Sequence, residues 1–181
     1  MVRNFVLAAA VGLCLSTAAF SDDAEQAGAA QAASMFSYCM RYSGDISGLR
    51  GWAAQAGLKE ASGDDAKPYL LGHSGRAFGG DTPSGGVIIA SQDDGGCSLF
   101  ADHADATVLV HDFESALKQD NFTFMPPKRT TRTGKSGLTV ISLDYRIKNE
   151  SQHWHVVVST STPGKARFEA VMTVAGHSHK H

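Results

Sequence analysis

Long hydrophobic runs are scarce in this sequence of 181 residues, and the one clear example lies between Phe5 and Ala19. A transmembrane helix needs about 20 consecutive apolar residues. Ser16 and Thr17 thin this run before Asp22 closes it. No later stretch is long enough, so the sequence predicts no membrane span outside the N-terminal segment.

The N-terminal segment has the order of parts typical of a cleavable secretory signal peptide over residues 1–21. Arg3 supplies the positive start, an apolar run of about 15 residues follows, and the small residues Ala19 and Ser21 precede the expected cleavage point. The alternatives are an uncleaved anchor and a lipoprotein modified at Cys14, although Leu13 stands where lipidation uses a small residue. We expect an exported protein, either periplasmic or secreted.

Cysteine is also scarce, with three residues in the chain. Cys14 leaves with the predicted signal peptide, so Cys39 and Cys97 remain as an even pair. Two lone cysteines most often pair in an oxidising compartment, and no Cys-x-x-Cys motif suggests disulfide exchange. A catalytic thiol is the alternative, and it would need a low pKa beside a base such as His103. We expect a structural Cys39–Cys97 disulfide.

Neither sign of charge dominates, because 16 Lys and Arg residues against 18 Asp and Glu residues give a net charge of −2. The basic residues are scattered, so the footprint of a nucleic-acid-binding protein is missing. About 160 residues remain after the signal peptide, which suits one domain. The expected organisation is a signal peptide at 1–21, a polar leader or frayed helix at 22–34, one domain at 35–176 and a His-rich tail at 177–181.

Three helices are predicted by apolar residues at helical spacing. The first has its apolar stripe from Met35 onward, the second is capped by Asp45 and the third by Asp105. Segment 64–71 predicts a further short helical turn. The predicted order along the chain is helix, helix, hairpin, helix and meander.

The remaining segments predict strands of an antiparallel sheet. Two strands around the Asp93–Gly96 turn form a β-hairpin, and three β-rich runs at 138–147, 153–161 and 168–175 form a C-terminal meander. Segment 130–137 is interpreted as a mobile basic loop. The expected fold class is α+β, with the hairpin and meander in an antiparallel sheet and the helices packed on one of its faces.

Six short motifs lie between residues 35 and 120, and they are Tyr38-Cys39-Met40, Gly44-Asp45, Leu49-Arg50-Gly51-Trp52-Ala53, Gly75-Arg76-Ala77-Phe78, Asp94-Gly95-Gly96-Cys97-Ser98-Leu99-Phe100-Ala101 and Ala104-Asp105. As a set they resemble an uncharacterised family of small exported bacterial proteins with an Asp-Gly-x-Cys-Ser-hydrophobic-Phe-Ala pattern. The resemblance implies export, one domain and a cysteine pair in fixed positions. It implies no activity, ligand or catalytic residue.

Several fragments imitate catalytic motifs but lack a required residue. Gly134-Lys135-Ser136 is missing the earlier glycine of a phosphate-binding loop, and Ser74 is followed by its glycine one position too early for a hydrolase elbow. Acid pairs such as Asp102 with Asp105, or Asp112 with Glu114, raise the question of acid–base chemistry. Helix capping and solvent exposure explain them more simply, so the sequence identifies no catalytic residue and no cofactor-binding motif.

Histidine is the strongest remaining lead. His177, His179 and His181 alternate along the C-terminal tail, so in an extended chain three imidazoles could converge on Zn²⁺ or Cu²⁺. His153 and His155 share one face of a predicted strand in the same way. The alternative is a solvated tail without a metal.

The leading functional hypothesis is a non-enzymatic module that binds an envelope protein or a small ligand through its glycine-rich loops or an open sheet face. A divalent-metal-binding protein that uses the histidine tail is the second hypothesis, and a hydrolase with an unrecognised site is the third. Nucleic acid is not an expected partner, and Zn or Cu is the only cofactor that the sequence suggests.

Overall fold

The computed structural model describes residues 19–82, 85–162 and 164–177. The predicted signal peptide therefore lies outside the described residues apart from its last three positions. The described α-helices are α1 (Ala19–Arg41), α2 (Ile46–Gln55), α3 (Gly63–Ala66) and α4 (Ala106–Gln119), and a 3₁₀ turn at Lys67–Tyr69 follows α3. As predicted, Asp45 caps α2 and Asp105 caps α4 by accepting backbone N–H bonds.

All described strands belong to one antiparallel sheet. The strands are β1 (Lys59–Glu60), β2 (Gly75–Thr82), β3 (Gly85–Gln92), β4 (Cys97–Ala101), β5 (Thr123–Phe124), β6 (Lys128–Thr133), β7 (Thr139–Lys148), β8 (His153–Ser161) and β9 (Ala170–His177). The sheet order is β1-β2-β3-β4-β9-β8-β7, and both β5 and β6 pair with the outer side of β7. The predicted α+β class, hairpin and meander are confirmed.

Strands β5 and β6 are two parts of one interrupted edge strand. Phe124 pairs with Ile147 and Lys128 pairs with Asp144, so β5–β6 has one more residue than β7 between these pairs, which is the count of a β-bulge. Pro126–Pro127 lies within the bulge, where its missing N–H groups cost no ladder hydrogen bonds. The edge strand is therefore bent at this point.

The prediction of a mobile basic loop at 130–137 was wrong. Residues 128–133 pair in register with β7, and the turn occupies only the segment around Lys135. Three of the six residues of β6 are threonine, and β-branched Thr favours a strand. The basic residues concealed this preference because no apolar residue marks a buried face.

Successive residues of the central strands point to opposite faces of the sheet. Leu99 lies in the large core that the sheet forms with α1, α2 and α4, whereas the next residue, Phe100, lies in a smaller cluster on the other face. The Tyr69 ring from the 3₁₀ turn packs edge-on against Phe100 at 5.6 Å. The long helices thus share one face as expected, while segment 63–69 covers the opposite face over β2–β4.

Segment 22–34 is a packed part of α1, which corrects its description as a polar leader or frayed helix. Ala29, Ala32 and Ala33 are buried in the main core, where α1 lies against α4. The backbone oxygen of Glu25 also accepts a hydrogen bond from Asp105 N–H at 3.1 Å. No apolar stripe was predicted here because alanine was not counted as an apolar residue, although its small side chain allows close helix packing.

The predicted Cys39–Cys97 disulfide is present. It joins the C-terminal part of α1 to the first residue of β4, with a Cα–Cα distance of 5.4 Å. Both cysteines are buried, at 0% and 1% exposure. The bond therefore ties the N-terminal helix to the middle of the sheet from inside the core.

Replacing both cysteines, as Cys39→Ala with Cys97→Ala, should lower the free energy of unfolding by about 2–5 kcal/mol, because the cross-link restricts the unfolded chain. Urea unfolding followed by circular dichroism measures the effect. Wild-type protein kept in reductant is the control and should unfold near the same urea concentration as the double variant. Equal stability of the double variant and oxidised wild type would contradict this role.

Ala32→Leu should destabilise the protein by about 1–3 kcal/mol, because the α1–α4 contact has no room for the added methylenes. Ala32 is 0% exposed. Ala30→Leu is the matched control at an exposed position of the same helix, and its effect should stay within about 0.5 kcal/mol. Identical thermal unfolding of the two variants would show that this part of α1 is not packed.

Candidate functional site

The glycine-rich candidates have structural roles. A Cβ on Gly75 would lie 2.3 Å from the backbone oxygen of Ser91, so close pairing of β2 with β3 requires glycine there. Ser74, the candidate elbow serine, is exposed, and its backbone oxygen accepts a hydrogen bond from Asp93 N–H at 2.8 Å. This segment supports the β3–β4 turn and does not position a nucleophile.

The acidic candidates are separated by the fold. Glu114 faces the sheet, where it accepts a hydrogen bond from the buried Tyr145 hydroxyl at 2.9 Å. Burial and then the bond to Glu114 raise the pKa of Tyr145 far above its ordinary value of 10.0, so the phenol stays protonated. Asp112 instead lies 2.9 Å from the exposed His111 ring. Asp112 and Glu114 therefore do not act as a pair.

Asp102 and His103 lie directly after β4. The Asp102 carboxylate packs against the backbone of Gly85 and Gly86, where a Cβ on Gly85 would lie 2.5 Å from Asp102 Oδ1. Asp105 is occupied as the α4 cap, so the pair Asp102 and Asp105 is divided between two structural positions. The hollows described below are lined by other residues.

Three of the histidine candidates lie on β8 and β9 near one end of the sheet. His153 is the first residue of β8, and His155 follows on the same face. The β8–β9 register places His177 directly opposite His153. His179 and His181 lie outside the described residues, and within the described ranges no group of three or more His, Cys, Asp or Glu residues is arranged to hold a metal ion.

The face of β6, β7, β8 and β9 opposite the long helices is called the open sheet face here. No described helix covers this face over β6–β8, and the cluster around segment 63–69 extends to β9 at Val171. Cross-strand register assigns its side chains, because residues directly opposite each other share a face. The polar members are Lys128, Thr130, Arg132, Ser142, Asp144, Arg146, Lys148, His153, His155, Ser159, Ser161 and Thr173.

Asp144 is the centre of a charged cluster on the open sheet face. Its Oδ1 lies 2.9 Å from His155 Nε2 and 3.7 Å from Arg146 Nε. Lys128 stands directly opposite it on β6. One carboxylate thus orients a histidine and an arginine, while Arg146 keeps 61% of its side chain exposed. The contact with Asp144 thus restrains the Arg146 guanidinium without burying it.

Two hollows lie along this cluster. The Met125 hollow has a volume of about 490 Å³ and is lined by Thr123, Phe124, Met125, Arg146, Ile147, Lys148, His153, Trp154 and His155. The hairpin hollow has a volume of about 630 Å³ and is lined by Lys128, Thr130, Arg132, Gly134, Ser136, Leu138, Val140, Ser142, Asp144 and Val157. Both volumes fall within the range of ordinary ligand sites, about 300–1,000 Å³.

Charge on the open sheet face is strongly one-sided. Its Lys and Arg members are Lys128, Arg132, Arg146 and Lys148, and its one acidic member among the described residues is Asp144. The acidic groups of α4 lie on the helix side of the molecule. A chain with a net charge of −2 therefore presents a basic surface that the net charge conceals.

A further cleft of about 390 Å³ lies on the helix side, between the C-terminal parts of α1 and α4 and the β7–β8 turn. Its apolar walls include Phe113, Phe122 and Trp154, and its polar rim includes Arg41 and Asp120. One cation and one carboxylate give this cleft no dominant charge. It is a weaker candidate than the open sheet face.

Asp144, Arg146 and Lys148 were not predicted as site residues, although the sequence contains a signal for them. Along β7 these polar residues alternate with Leu143, Tyr145 and Ile147, which pack toward the helices. Such a period of two indicates one buried face and one solvated face. The run at 138–147 was predicted as a strand, but the residues that share its outer face were not identified.

Among the described residues, no helix combines the length and the apolar character needed to cross a bilayer. No protein-family model, no curated protein and no solved structure matches the chain. The resemblance to a family of small exported proteins therefore remains a prediction that rests on the motifs themselves.

Proposed function

We propose that this chain is an exported binding module whose open sheet face binds an anionic ligand. Export follows from the signal-peptide pattern and is supported by the disulfide, which suits an oxidising compartment. The observation that carries the binding function is a concave, uncovered surface with four Lys and Arg side chains against one carboxylate. The ligand chemistry is a carboxylate-bearing chain, either a polypeptide or a polysaccharide.

The geometry favours binding over catalysis. The His155 ring is held by Asp144 at 2.9 Å, but catalysis would need a nucleophile or a second acid–base group within about 3 Å of a reacting atom. The neighbouring Ser142 hydroxyl is instead hydrogen-bonded to Ser159 at 2.9 Å. Exposed arginine and lysine on a rigid sheet are suited to holding an anion in place.

Replacing two cations of the face, as Arg146→Ala with Lys148→Ala, should weaken binding of a fluorescein-labelled oligoglutamate about five- to tenfold, because each exposed ion pair contributes less than about 1 kcal/mol. Fluorescence anisotropy measures the affinity. Oligoglutamine should not bind, and the oligoglutamate affinity should fall as salt is raised. A labelled oligosaccharide of uronic acids, run in parallel, distinguishes polysaccharide from polypeptide as the source of the carboxylates.

The matched control removes two exposed cations elsewhere, as Lys59→Ala with Lys118→Ala, and should leave both affinities unchanged. Circular dichroism establishes that both double variants are folded. If the two double variants weakened probe binding equally, the loss would follow from net charge alone. That result would contradict a site on the open sheet face. The same conclusion follows if wild-type protein binds neither probe.

Divalent-metal binding is a second candidate function, and the register of β8 with β9 favours it. His153, His155 and the start of the tail at His177 meet at one end of the sheet. Two ring nitrogens from β8, joined by tail histidines, would supply the imidazole ligands that Zn²⁺ and Cu²⁺ accept. We propose this site as an addition to the tail-only arrangement predicted from the sequence.

Calorimetric titration of the whole chain with Zn²⁺ and Cu²⁺ tests this candidate. His153→Ala with His155→Ala should weaken metal binding about tenfold or more, the loss that removing even an outer partner of a metal ligand produces. Removing residues 178–181 should have a similar effect. His111→Ala, an exposed histidine on α4, is the control, and millimolar affinity of the wild type would rule the site out.

A further inference from the structure

We infer that the partner of the open sheet face is an extended acidic polypeptide segment that adds to the sheet as a new strand beside β6. This inference rests on the proposed function and names the class of ligand. Among the described residues, β6 pairs with β7 alone. An edge strand with one partner presents unpaired backbone N–H and C=O groups on its outer side, and such edges are where extended peptides bind to sheets.

The hydrogen-bond pattern of the β6–β7 hairpin identifies which backbone groups face outward. Gly134 N–H donates to the backbone oxygen of Leu138 at 2.9 Å, and this pair continues the β6–β7 register. Alternate residues of an antiparallel strand direct both backbone groups toward the partner or away from it. The even-numbered residues of β6 therefore bond to β7, whereas Arg129, Thr131 and Thr133 direct theirs to the outer edge.

The outer edge of β6 has a defined length, because a structural feature ends it on each side. The Pro126–Pro127 bulge precedes β6, and the turn at Gly134 follows it. Six residues remain between them, which corresponds to about 20 Å of extended chain. All six are exposed in the structure. A partner segment of about six residues can therefore pair along the whole of β6.

Charge selects the sequence of that segment. Lys128, Arg129 and Arg132 lie on β6 itself. Arg146 and Lys148 lie on β7, beyond the Lys128 end of β6. Two copies of β6 placed edge to edge would bring like charges together, which opposes self-pairing. An acidic strand would instead neutralise them. Alternate side chains of such a strand would extend over the hairpin hollow.

The decisive variant is Thr131→Pro. It removes an outward N–H and places the proline ring in the path of an added strand, while the bonds of β6 to β7 are kept. Thr131→Ala is the matched control because it changes the same side chain and keeps the amide. The probe is a six-residue peptide of alternating Glu and Val, labelled with fluorescein. We expect Thr131→Ala to bind it like wild type and Thr131→Pro to bind it about tenfold more weakly or worse.

The same peptide with N-methyl groups on alternate amides keeps its charge but cannot pair as a strand, so its binding to wild type should fall by a similar factor. The uronic-acid oligosaccharide should bind both Thr131 variants equally. Equal peptide affinity of the two variants would overturn strand addition and leave the proposed function intact. Failure of wild type to bind every anionic probe would overturn the proposed function itself.

Size-exclusion chromatography tests the other possible occupant of the β6 edge, which is a second copy of this chain. We expect a monomer for wild type and for both Thr131 variants, because the basic edges repel each other. A wild-type dimer that becomes a monomer in Thr131→Pro would assign the β6 edge to self-association and overturn the inference. Circular dichroism of Thr131→Pro should match that of wild type, since proline is tolerated on the outer side of an edge strand.

Discussion

The attachment of α1 to β4 is the constraint on which the rest of the fold depends. Strand β4 is buried at every position and pairs with β3 on one side and β9 on the other, so it joins the N-terminal strands to the C-terminal meander. The Cys39–Cys97 bond holds α1 against its first residue. Because α1 also packs along α4 through small residues, fixing α1 fixes both long helices on one face of the sheet.

This arrangement leaves the opposite face unequally covered. Over β2–β4, the 3₁₀ turn and the aromatic side chains of Tyr69, Phe100 and Phe168 form a second small core. That core extends to β9 at Val171, and over β6–β8 no described element replaces it. The side chains there are correspondingly polar, because an uncovered apolar face of that size would promote aggregation. The proposed binding surface therefore lies where no element of the described residues covers the sheet.

Local sequence patterns correctly predicted two helix caps, a turn and the disulfide. The caps at Asp45 and Asp105, the turn at Asp93–Gly96 and the disulfide depend on neighbouring residues or on cysteine number, and all are confirmed. The packing of alanines in α1 and the pairing of β6 depend on partners distant in sequence. Composition concealed both, because alanine was not counted as apolar and the basic residues of β6 suggested a loop. The open sheet face was missed for a related reason: it exists only through strand register.

Net charge was an equally poor guide to this surface. Electrostatic interactions in physiological salt decay over about 8 Å, so a ligand at the open sheet face experiences Arg146 and Lys148 far more than the acidic groups of α4 on the other side of the sheet. Asp144 is one carboxylate beside four Lys and Arg side chains, so it offsets only part of their charge, and its contact with Arg146 leaves that side chain exposed. The basic edge of β6 continues the same field to unpaired backbone groups. In the proposed function, face and edge therefore form one surface, in which charge would attract an extended acidic chain and backbone pairing would determine its direction.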